Sequence, residues 1–204
     1  MTEGSKALEP VSTPARGRGR PRDEEKDAAI AEATWRLLAE KGYEALTFES
    51  VAELVGCSRS TLYRRFANKA ELVEATLGQT SRRIEPRIDD SMSPREVLIA
   101  HARALCTYMA GPRGPATLMM SFSAEHHAEL AAAIARHGMN EQTFYLREFE
   151  RARPGTSEQV RDFAFNTLIG TIIFHVAVLR TTLTERQIIR LVDGALTLLE
   201  MEPG

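Results

Sequence analysis

Between Thr47 and Lys69 the chain reads TFESVAELVGCSRSTLYRRFANK. The second half of this stretch carries Arg59, Arg64, Arg65 and Lys69 with no acid among them, and Ser60, Thr61 and Tyr63 are interleaved. Arginine offers a planar fork of donors that suits a guanine edge or a phosphate. Ser60, Thr61 and Tyr63 can donate to phosphate oxygens. Lys69 stands where a new helix begins, and the free amides of a helix N-terminus also favour an anion. These residue types suit gripping and reading a nucleic acid. The plainer alternative is an exposed helix pair with a solvated basic face.

Local signals position these side chains. Thr47 is a good cap for a short helix whose apolar side is Val51, Leu54 and Val55. Gly56-Cys57 makes the turn, and Ser58 begins a second helix. Leu62 and Phe66, four apart, face the core, which leaves Arg59, Ser60, Tyr63 and Arg64 pointing outward. This is a helix-turn-helix, in which the second helix enters the major groove of DNA.

An earlier helix starts at Asp23, with Ile30, Ala33, Thr34, Leu37 and Leu38 as its buried face and Gly42 at its end. Trp35 lies off that face. Asn68 and Glu71 form a capping box for a fourth helix, which Pro86 either kinks or ends. Ser93, Pro94 and Glu96 start a helix that runs to about Ala110. After a break over 111–115 come a short helix over 117–122 and a long one over 125–153, with Gly138 as a point of interruption. Thr156 with Gln159, and Thr184 with Gln187, cap the last two, which run to about Arg180 and Met201. No segment alternates with period two. The expected fold is all-α with about nine helices: a disordered basic arm (1–22), a three-helix DNA-binding domain (23–68) and a further helical domain (69–204), to which the resemblance described below assigns effector binding and dimerisation.

The 204 residues carry a net charge of −2, so the chain is not a uniformly basic nucleic-acid binder. Its positive charge is local, in the 59–69 cluster and in the Arg16, Arg18, Arg20 and Arg22 tail. That tail either enters an A·T-rich minor groove or adds only nonspecific attraction. The cysteines, Cys57 and Cys106, have no metal-ligand spacing and suit a reducing cytoplasm. Met1 to Pro10 lacks the apolar core of a secretory signal. Phe163 to Leu179 bears no formal charge but falls short of the roughly 20 apolar residues of a membrane span, and reads as a doubly buried helix. His126 and His127 point in different directions on a helix and make a solvated face rather than a metal site. No catalytic constellation or cofactor motif is present, so an enzyme reading has no residues to rest on.

Gly42-Tyr43, Leu46-Thr47, Val51-Ala52, Leu54-Val55-Gly56, Ser58, Thr61-Leu62-Tyr63, Phe66 and Asn68-Lys69 together closely resemble the N-terminal domain of the TetR/AcrR family of transcriptional regulators. The match runs from about Asp23 to Leu77 without gaps; beyond it only helix number and length correspond. The resemblance implies a homodimer on a palindromic double-stranded operator, with its two reading helices about 34–36 Å apart, and a ligand-responsive C-terminal domain. It implies DNA contacts by Thr47, Arg59, Ser60, Thr61, Tyr63, Arg64 and Lys69. Thr47, Tyr63 and Lys69 are expected mainly on phosphate, and Arg59, Ser60 and Arg64 on base edges. Cys57 and the Arg64-Arg65 pair depart from common family choices; two cations there imply a stronger salt dependence.

In the C-terminal part, two helices are apolar on more than one side. Phe163, Thr167, Gly170, Thr171 and Phe174 line one side of the first, and Ile188, Leu191, Val192 and Ala195 one side of the second. A doubly apolar helix needs a second partner, and the resemblance supplies the same helices of a second subunit. Gly170 and Ala195 would allow close approach. Elsewhere Met109, Met119, Phe122 and Phe144, with the polar points His101, Tyr108 and His175, are candidates to line a pocket for a small apolar effector, or else an ordinary core. The function expected is a dimeric repressor released from DNA by that effector. The alternatives are an activator, an effector-independent regulator, or an all-α small-molecule-binding protein or enzyme that does not touch DNA.

Overall fold

The computed structural model describes residues 24–201. The arm over 1–22, with Arg18, Arg20 and Arg22, and the Asp23 cap lie outside them. Nine α-helices and one 3-10 turn make up the regular structure of the described residues.

Helix α1 (Glu24–Lys41) opens with Glu24, Glu25 and Asp27, which favour the positive end of its dipole. Ile30, Ala33, Thr34, Leu37 and Leu38 are all buried, as their spacing predicts. Trp35 is buried too, on a second side. It donates from Nε1 to Thr80 Oγ1 at 2.8 Å and meets the Tyr108 ring edge-on, with centroids 6.5 Å apart. The tryptophan off the apolar stripe therefore joins α1 to the helices that follow the helix-turn-helix.

Helices α2 (Phe48–Val55) and α3 (Arg59–Tyr63) lead into α4 (Lys69–Ile84). Pro86 ends α4 rather than kinking it: Glu85 before the proline is driven out of the helical region, to φ −56° and ψ 122°. Helix α5 (Pro94–Ala110) starts with the expected Ser93–Glu96 capping box. Helix α6 (Arg113–Ser123) begins at Arg113 rather than Thr117. Pro115 is tolerated in its first turn, where no N–H is needed. Gly114 is required by contact, since a Cβ there would lie 2.0 Å from the Met109 carbonyl oxygen.

After the 3-10 turn Ala124–His126, α7 (Ala128–Ala152) runs through Gly138 without a break. Helix α8 (Glu158–Ala177) is capped by Ser157, one residue later than expected, and α9 (Glu185–Leu198) by the Thr184–Gln187 box.

Two apolar clusters hold the helices. The first joins α1 to α4 and takes in Ala116 and Met120 of α6 and Leu130 of α7. The second gathers α5, α7, α8 and α9 around Leu98, Phe149, Leu168 and Ile172. Helix α4 packs along both α1 and α7. It thus links the helix-turn-helix to the rest of the chain.

The second cluster changes the assignment of α9. Ile188, Val192 and Ala195, expected at a dimer interface, are buried in the protomer's own core. Helix α9 instead turns Leu191, Gly194 and Leu198 to its less buried side. On α8 the expected stripe is open: Phe163 is 60% and Phe174 51% exposed, with Gly170 between them. Thr167 and Thr171 are half-buried and donate back to backbone carbonyls one turn earlier. No helix among the described residues is long and apolar enough to cross a membrane.

Candidate nucleic-acid interface

The reader is built from its caps. Thr47 Oγ1 accepts from Ser50 N at 3.1 Å, and Ser50 Oγ accepts from Thr47 N at 3.2 Å, which fixes the first turn of α2. Gly56, at φ +70°, turns the chain in the left-handed region, and Cys57 N donates to Ala52 O at 3.0 Å. Ser58 follows as the N-cap of α3, its hydroxyl 2.8 Å from Ser60 Oγ and 3.0 Å from Thr61 Oγ1.

Helix α3 is short, and Leu62, wholly buried, is its anchor. Phe66 lies past the helix end, but its N–H still reaches Leu62 O at 2.9 Å and its ring packs on the first core. Burying a leucine stabilises by roughly 1.5–3 kcal/mol, enough to hold so short a helix in place. With Leu62 inward, Arg59, Ser60, Tyr63 and Arg64 are exposed together on the opposite side, and Thr61 is half-buried.

The cations on this face are not equivalent. Arg64 has no ion pair among the described residues. Arg59 pairs with Glu49 of α2 at 3.1 Å, both side chains being more than half exposed, so the pair is weak and open to exchange. Arg65 turns back and pairs with Asp27 of α1 in a half-buried setting. The sequence expectation of two free cations from Arg64-Arg65 is therefore corrected: one faces out, and the other fastens α3 to α1.

Lys69, at the first turn of α4, donates to Tyr43 O at 3.2 Å and stands 4.1 Å over the Tyr43 ring. Burial, with the Glu129 and Glu44 carboxylates, pushes the Tyr43 phenol up to about 12. Tyr63 is 59% exposed and packs edge-on against Phe48, with ring centroids 4.8 Å apart. Its ring is oriented while its hydroxyl stays accessible. Thr47 is exposed.

His127, read from sequence as part of a solvated face, pairs with Glu44 and meets the Tyr43 ring edge-on at 5.1 Å. It joins the start of α7 to the loop before α2. Glu74 of α4 binds Arg136 of α7 at 2.5 Å. That hydrogen bond holds the Glu74 carboxyl below its ordinary value. No group of three His, Cys, Asp or Glu residues that could hold a metal occurs among the described residues.

Of the candidate effector residues, His101 and Phe144 line one cavity together. It is a cleft of about 320 Å³ between α4, α5 and α7. Tyr108 lines a smaller cavity of about 80 Å³ next to it, which shares Ser81, Ile84 and His137 with the cleft. Met109 is buried in packing, Met119 and Phe122 are 60% and 71% exposed, and His175 bonds Thr181 beyond the end of α8; none of the four lines either cavity. Sequence reasoning missed Ser81, Arg82, His137 and Asn140. They are polar residues on the margins of amphipathic helices, where solvent and a cleft leave the same pattern.

Residues 30–76 match the model of the family "Bacterial regulatory proteins, tetR family". The chain is 34% identical over 97 residues to an uncharacterized HTH-type transcriptional regulator, YdeS, of Bacillus subtilis, covering 48% of each protein. It is 33% identical over 118 residues to the DNA-binding transcriptional repressor TetR of Mycobacteroides abscessus, covering 57% of this chain and 61% of that one. The chain thus spans about half to three fifths of the length of these curated relatives. The crystal structure of the TetR family transcription regulator SCO0332 superposes with a TM-score of 0.64 at 22% identity, covering 85% of this chain and 97% of that one, and shares the fold. The capped turn, the short helix anchored by Leu62 and the order of nine helices among the described residues agree with these matches, and residues 30–76 form a DNA-binding domain of the TetR-family type.

Proposed function

We propose that the protein is a homodimeric, sequence-specific repressor that a small, mostly apolar effector releases from its operator. The observation that carries this reading is the side of α3 opposite Leu62. Arg59, Ser60, Tyr63 and Arg64 are exposed there together, without an acid among them. Thr47, Tyr63 and Lys69 would hold phosphates, while Arg59, Ser60 and Arg64 reach base edges. Repression is the role named for the Mycobacteroides abscessus relative. This role places the protein in the cytoplasm, as a regulator and not an enzyme.

A dimer would form through the open stripes, Phe163, Gly170 and Phe174 of α8 with Leu191, Gly194 and Leu198 of α9. Gly194, rather than Ala195, supports close approach on α9, because it lies on the exposed side. The effector would enter the cleft against α4. It must bind the DNA-incompetent arrangement more tightly, since only that difference can shift the equilibrium.

The test is selection of bound sequences from a random DNA pool, followed by a mobility-shift assay with the selected site. Tyr63→Ala and Arg64→Ala should each weaken binding about tenfold or more. Wild-type affinity in both variants would overturn the assignment.

A further inference from the structure

The cleft between α4, α5 and α7 has a chemical character of its own. His101 Nε2 is buried and has no hydrogen-bond partner among the described residues. A buried polar atom left unpaired is costly, so it marks a place where a ligand atom would be favoured. The His101 ring lies 3.9 Å from the Phe144 ring at an interplanar angle of 30°, and Phe144 meets Tyr145 edge-on at 5.4 Å. One end of the cleft is thus an aromatic wall beside a buried, unpaired polar atom. Burial and the nearby Arg147 push the His101 pKa down to about 4, so the ring is neutral and does not recruit a carboxylate by charge.

A second polar point lies further along α7. Ser81 Oγ and His137 Nε2 are 3.4 Å apart, a long contact that a ligand group can replace or bridge. His137 and Phe144 are two turns apart on α7, about 10 Å along its axis. Ile84, Ala104 and Leu105 contribute apolar wall. The charged residues on the lining, Arg82, Glu85 and Glu141, are all exposed, where water and salt screen them and weaken any preference for a charged ligand.

We propose that this cleft takes a neutral, elongated aromatic molecule with a hydroxyl at each end, one bonded to His101 and the other to the Ser81–His137 pair. A hydroxyl both donates and accepts, so it satisfies His101 in either tautomer. The proposal rests on reading the cleft as the effector site, and it adds the ligand class.

The experiment is calorimetric titration of the full-length protein with p,p′-dihydroxybiphenyl, biphenyl and p,p′-biphenyldicarboxylate, with DNA release by each followed in a mobility-shift assay. The diol should bind about tenfold or more tightly than either comparison compound. His101→Phe should weaken the diol by roughly threefold to tenfold and leave biphenyl unchanged, while His101→Gln should restore part of the loss. Ala104→Phe should fill the cleft and abolish binding. Thermal melts of each variant separate these effects from misfolding.

Tighter binding of biphenyl or the dicarboxylate would overturn the ligand class. If that binding is lost in Ala104→Phe and releases DNA, the effector cleft itself stands. Diol binding that survives Ala104→Phe, or no binding of any of the three, also overturns the proposal. Diol binding in the cleft without DNA release supports the ligand class and refutes the effector reading instead.

Discussion

Two neighbouring arginines in the reader should fail in opposite ways. Arg64 is exposed on the side of α3 facing away from Leu62. Arg65 pairs with Asp27 of α1, the two side chains being 25% and 31% exposed. Replacing Arg64 with alanine removes one cation per protomer from the surface proposed to meet DNA. Each phosphate neutralised contributes about 0.9 to the slope of log affinity against log salt, so a dimer loses up to about 1.8, and less where the Arg64 guanidinium reaches a base edge instead of a phosphate. Stability should be unchanged, because no partner is left behind. Replacing Arg65 leaves Asp27 half-buried without its pair. Between the small value of a surface pair and the larger cost of orphaning a buried charge, the expected loss is about 1–2 kcal/mol, or roughly 2–8 °C in Tm for a chain of this size. The salt slope of Arg65→Ala should stay at the wild-type value. Fluorescence anisotropy with labelled operator across a salt series, together with thermal denaturation, reads both quantities. Loss of slope without loss of Tm in Arg65→Ala, or the reverse in Arg64→Ala, would refute the division of labour read from the structure.

Other expectations follow from the joints between helices. Thr80→Val keeps the side-chain shape but orphans the buried Trp35 Nε1–H; thermal denaturation should show a loss of about 1–3 kcal/mol, and Trp35→Phe in the same chain should recover part of it. Phe174→Asp places a charge on the open α8 stripe, and analytical ultracentrifugation should then find monomer in place of the proposed dimer. Glu74 has its pKa lowered from an ordinary value of 4.5, first by the Arg136 hydrogen bond, so its contribution to stability is complete above that value and fades as pH falls through the lower folded-state pKa. Chemical denaturation between about pH 6 and pH 3 should therefore show a shallower acid-side decline in Glu74→Gln than in wild type.

What was legible in the residues is local. A cap such as Thr47, a turn at Gly56, a stop at Gly42 and a buried pair at Leu62 and Phe66 act within a turn or two, through backbone amides and short hydrophobic spacings. The outward face of the reader follows from these alone, and the helix count from caps of the same kind at Asn68, Ser93 and Thr184. Ambiguity is local too: Pro115 reads as part of a break because a helix's first turn looks like a loop in sequence, and Ser157 rather than Thr156 caps α8 because adjacent hydroxyls compete for one role.

The tertiary structure decided whatever depends on which partner a side chain finds. Trp35 lies off the α1 stripe, and only the packing of α1 on α4 and α5 gives its N–H the Thr80 hydroxyl and its ring Tyr108. Arg64 and Arg65 are alike by residue type; α1 passing beside one of them makes it structural. The apolar residues of α9 satisfy two helical stripes one residue apart. Burial of Ile188, Val192 and Ala195 in the protomer's own core selects between them and leaves Leu191, Gly194 and Leu198 on the other side. Periodicity reports that a face is apolar. Which surface covers that face is a long-range property of the assembled chain.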